Sequence, residues 1–117
     1  MDRRHLLASG AALGATSTLI LPTRLLAAAG PLKVGVILPR SGVQAGIGQD
    51  CQRGVDIAAP ILKAMGMPDL QILSGDTESK VETARSTAEK LIGEGAQLLI
   101  GAFDSGQTTA IAQVAEQ

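Results

Sequence analysis

The residues best suited to chemistry on this chain stand where apolar runs give way to loops. Arg40 follows the run 32–38 and the stop at Pro39, Asp76 follows the run 70–73, and Asp104-Ser105-Gly106 follows the run 97–103. An arginine so placed can pair with an anion. An aspartate there more often fixes the next loop by accepting backbone N–H groups. Asp104-Ser105-Gly106 opens a helical pattern, so Asp104 or Ser105 can cap it. The first turn of a helix also offers unpaired N–H donors and a partial positive charge, where an anion can sit.

Bond-breaking chemistry lacks its side chains. The one histidine is His5, in a segment that reads as a removable leader, and the one cysteine is Cys51. Residues 30–117 therefore hold no zinc site of nitrogen and sulfur ligands and neither a Ser-His-Asp nor a Cys-His pair. Neither a metal nor a cofactor is expected, and the chain does not read as an enzyme. Cys51 is expected to be a small apolar core residue on a helix. The same segment keeps seven basic and ten acidic side chains, a net charge of −3, so nucleic acid is excluded as a partner.

The elements that must position these residues begin after residue 29. Arg3 and Arg4, a diluted apolar stretch from Leu6 to Leu21 and the small residues Ala27-Ala28-Ala29 have the form of a secretory signal cut after about Ala29. Glycines and hydroxyl residues make the stretch too polar for a membrane span. The order Arg3-Arg4-His5-Leu6-Leu7 resembles the twin-arginine motif, which implies export by that route to the periplasm. Residues 30–117 then alternate strand and helix three times. LKVGVIL (32–38) is apolar on both faces, as a buried parallel strand requires. Ile47, Cys51, Val55, Ala58 and Leu62 fall at helical spacing, and that helix stops near Met65-Gly66. A second strand covers 70–73, and a helix over about 79–92 buries Val81, Ala84, Ala88 and Leu91. A third strand covers 97–103, and the last helix runs toward Gln117 with no stop signal, so the chain reads as part of a longer protein. The pattern predicts a doubly wound α/β fold with a parallel sheet, in βαβαβα order. Ligands on such sheets sit at the carboxyl ends of the strands, here the loops 39–48, 74–79 and 102–107.

Lys33 to Gly42, then Gly48 and Gly54, then Leu70-Gln71-Ile72 with Asp76, then Leu99-Ile100-Gly101 followed by Ser105, together resemble the leucine/isoleucine/valine-binding family of periplasmic receptors for ABC transporters. The resemblance implies the N-terminal part of the first lobe of a two-lobed receptor. It would close on a small solute, an amino acid or a related organic acid or amide, and deliver it to a membrane permease. It also implies that Ser105, with the backbone amides beside it at Asp104 and Gly106, holds the solute's carboxylate, that the position of Ile47 packs on the ligand, and that Arg40 lies near the cleft mouth. Three departures stand out. Ile47 is aliphatic where many amino-acid receptors carry an aromatic, Asp104 would repel a carboxylate if it pointed inward, and Gln107 replaces a small hydroxyl residue.

A dinucleotide enzyme would need G-x-G-x-x-G directly after the first strand, and Gly42, Gly46 and Gly48 do not give that spacing. A receiver domain would want acids where Leu38, Pro39 and Arg40 stand. The remaining alternative is an exported sensory domain of the same fold.

Overall fold

A computed structural model of the protein describes residues 30–117, so the leader and its cut lie outside the described residues. The elements are β1 (Leu32–Leu38), α1 (Ala45–Ala64), β2 (Leu70–Asp76), α2 (Val81–Gly93), β3 (Leu98–Ile100) and α3 (Ser105–Ala115). The three strands are parallel in the order β2-β1-β3. The expected α/β class is what the chain adopts.

β1 takes the centre because its run is apolar on both faces. Val34, Val36 and Leu38 turn to one side, where Val55 of α1 packs with Leu70 and Ile72 of β2. Ile37 turns to the other, against Ala84, Ala88 and Leu91 of α2 and Ile111 and Val114 of α3. Each large aliphatic side chain buried this way contributes about 1.5–3 kcal/mol. One helix therefore covers one face and two cover the other, with the carboxyl ends of all three strands at one edge.

Five local expectations are corrected. β2 continues to Asp76 rather than stopping at 73, because β1 pairs with it as far as Leu38 opposite Asp76. α2 begins at Val81 rather than 79, because Glu78 (φ 53°) and Ser79 (φ 61°) are left-handed and cannot open a right-handed helix. Val81, at its first residue, is 43% exposed instead of buried. β3 is three residues long rather than seven, since Gly101 at φ 122° turns the chain out of extended conformation. On α1, Val55, Ala58 and Leu62 are half-buried as expected, whereas Cys51 is exposed and is not a core residue. Gly48 is the buried residue of that helix. It seats the first turn directly on the backbone of Pro39.

No helix among the described residues is long and apolar enough to cross a membrane.

Candidate functional site

The loops that leave the three strands are tied to one another by side chains. Asp76, the last residue of β2, accepts three backbone N–H groups on its Oδ1: Arg40 at 2.9 Å, Ser41 at 3.2 Å and Glu78 at 2.9 Å. The loop after β1 and the loop after β2 therefore share one carboxylate. Ser79 adds a second tie, its Oγ donating to the Ser41 carbonyl at 2.7 Å and accepting from the Gln44 N–H at 3.0 Å. These bonds hold Glu78 and Ser79 in a left-handed backbone that costs on the order of 1–3 kcal/mol per residue.

Gln44 carries the connection to the third loop. Its Nε2 donates to Asp104 Oδ2 at 2.8 Å, and its Oε1 accepts from Gln107 Nε2 at 2.8 Å. Gln107 Nε2 also donates to Asp104, and the Gln107 N–H donates to Asp104 Oδ1 at 2.8 Å. Asp104 is thus the cap of α3, and its side chain turns back onto its own helix and toward Gln44. Gln107 is only 1% exposed. The sequence shows Gln107 merely as a departure from a small hydroxyl residue; the structure makes it the buried centre of the Gln44–Asp104–Gln107 network.

Both aspartates are held ionised. Burial is the strongest single influence on Asp76 and would raise its pKa, but the hydrogen bonds from Glu78, Ser41 and Arg40 together outweigh it and leave the pKa below the ordinary 3.8. The Gln107 N–H, followed by the Gln44 side chain, lowers that of Asp104. A carboxylate whose native pKa lies below its unfolded value stabilises the fold fully above the unfolded value. That contribution is lost as pH falls through the native one. The melting temperature should therefore hold steady from pH 7 to about pH 5 and fall below about pH 4, more shallowly in Asp76→Asn. A melt at pH 3 equal to that at pH 6 would refute the coupling of the loops through these carboxylates.

The structure places the expected residues as follows. Arg40 is half-buried directly after β1, Asp104 caps α3, and Ser105 and Gly106 are exposed in its first turn. Ile47 lies in the first turn of α1 and is 42% exposed. Asp104 and Arg40 belong to the tied loops, and Ser105 and Gly106 adjoin them. Because Asp104 is the cap, Ser105 is released from that role. Sequence reasoning missed Gln44 and Ser79, whose only signal was a polar residue inside a loop. No group of three or more His, Cys, Asp or Glu side chains among the described residues could hold a metal ion.

A parallel sheet with polar loops gathered at its carboxyl edge is the architecture of the doubly wound α/β class, whose members hold ligands at that edge. The chain belongs to the periplasmic binding protein family, whose profile matches residues 31–117. It is 33% identical over 78 residues to the Leu/Ile/Val-binding protein homolog 2 of Brucella abortus (strain 2308), a match covering 64% of this chain and 21% of that protein. A solute-binding protein of an ABC transporter from R. palustris, solved in complex with benzoate, is similar at 33% identity and a TM-score of 0.63, over 74% of this chain and 24% of the other. The substrate-binding protein LivJ of Streptococcus pneumoniae, solved with isoleucine, shares the fold at 24% identity and a TM-score of 0.69, over 74% of this chain and 26% of its own. The chain thus spans about a quarter or less of the length of these relatives.

Proposed function

We propose that this chain forms the N-terminal part of the first lobe of an extracytoplasmic receptor, exported behind a twin-arginine leader that is cut after about Ala29. The receptor binds an amino acid or a similar small organic solute and passes it to the permease of an ABC importer. The names of its relatives support this reading: a Leu/Ile/Val-binding protein homolog and an ABC-transporter solute-binding protein solved in complex with benzoate.

The observation that carries it is the division of labour at the start of α3. Asp104 supplies the cap, so the exposed Ser105 hydroxyl and the Ser105 N–H are left to meet a solute. In the full-length receptor, Ser105→Ala should weaken solute binding by about 1.5–3 kcal/mol, on the order of 10- to 150-fold, if the hydroxyl meets a charged group. Folding stability should change by no more than about 0.5 kcal/mol, because there is no cap to lose. Calorimetric titration and a thermal melt on the same variant check both numbers, and a lowered melting temperature with unchanged affinity would move the solute away from Ser105.

A further inference from the structure

We draw no further inference here: the strongest candidate, the apolar groove beside β3 at the edge of the described sheet, lined by Ile92, Ala96, Leu98, Leu99 and Ala115, carries none because nothing in the structure shows what covers it.

Discussion

Gly48→Ala in the full-length receptor is expected to destabilise the protein by about 3–5 kcal/mol, at the upper end of single substitutions. Helix propensity alone predicts the reverse, because alanine in a helix interior is favoured over glycine by about 1 kcal/mol. Contact geometry decides the sign. A Cβ at position 48 would stand 1.9 Å from the Pro39 carbonyl oxygen and 2.4 Å from its carbon, and both are backbone atoms that cannot rotate away. Relief requires α1 to lift from the end of β1, which would displace the loop that carries Arg40 and Gln44. The internal control is Gly54 on the same helix, where a Cβ would meet nothing within 4 Å. Gly54→Ala should stabilise by about 0.5–1 kcal/mol. Denaturant melts of the two variants side by side test the argument, and equal stabilities would mean that α1 is not seated on Pro39.

Gln107→Glu should produce a comparably large loss with a distinctive dependence on pH. The change keeps the shape of the side chain but replaces a buried amide that donates to Asp104 with a second carboxylate. Asp104 is held ionised by its other donors, so the new glutamate must stay protonated or repel it. A shift of about 2–3 units above the ordinary glutamate value of about 4.3 is the expected response. That corresponds to about 3–4 kcal/mol lost at pH 7. A group whose native pKa is raised keeps its full stability below the unfolded value and loses it as pH rises toward the native one. The variant should therefore approach the wild type near pH 4 and fall away from it steadily between pH 5 and 7. A difference between the two proteins that stayed constant across this range would place Gln107 outside the carboxylate network.

The same pair of positions separates what the sequence states from what the folded chain adds. Strand and helix alternation was legible because a parallel strand must be apolar on both faces, and Leu32–Leu38 is; the class of fold and the edge of the sheet that binds ligand follow from that pattern and the direction of the strands. Gly48 was visible as one glycine in a spaced motif, but nothing in its neighbours along the chain reveals that it rests on Pro39. Cys51 shares the helical stripe of Val55, Ala58 and Leu62 yet is exposed, because helical period assigns a residue to a face without fixing which positions along that face meet the sheet.

For the site, the sequence determined which residues could stand at the strand ends: Arg40, Asp76 and Asp104 with Ser105. It left open whether Asp104 or Ser105 caps α3, since both side chains can accept from the same first-turn amides. The tertiary structure decided it. Gln44, 60 residues earlier in the chain, donates to Asp104 and joins Gln107 in turning it back onto its helix, which frees Ser105. The left-handed turn at Glu78 and Ser79, which no local propensity favours, likewise exists because Asp76 and Ser79 bond across to the loop after β1. Periodicity and propensity act over a few residues and fix the elements. The partners of a polar side chain are set by which loops the sheet brings together, and that pairing lies outside any local window of the sequence.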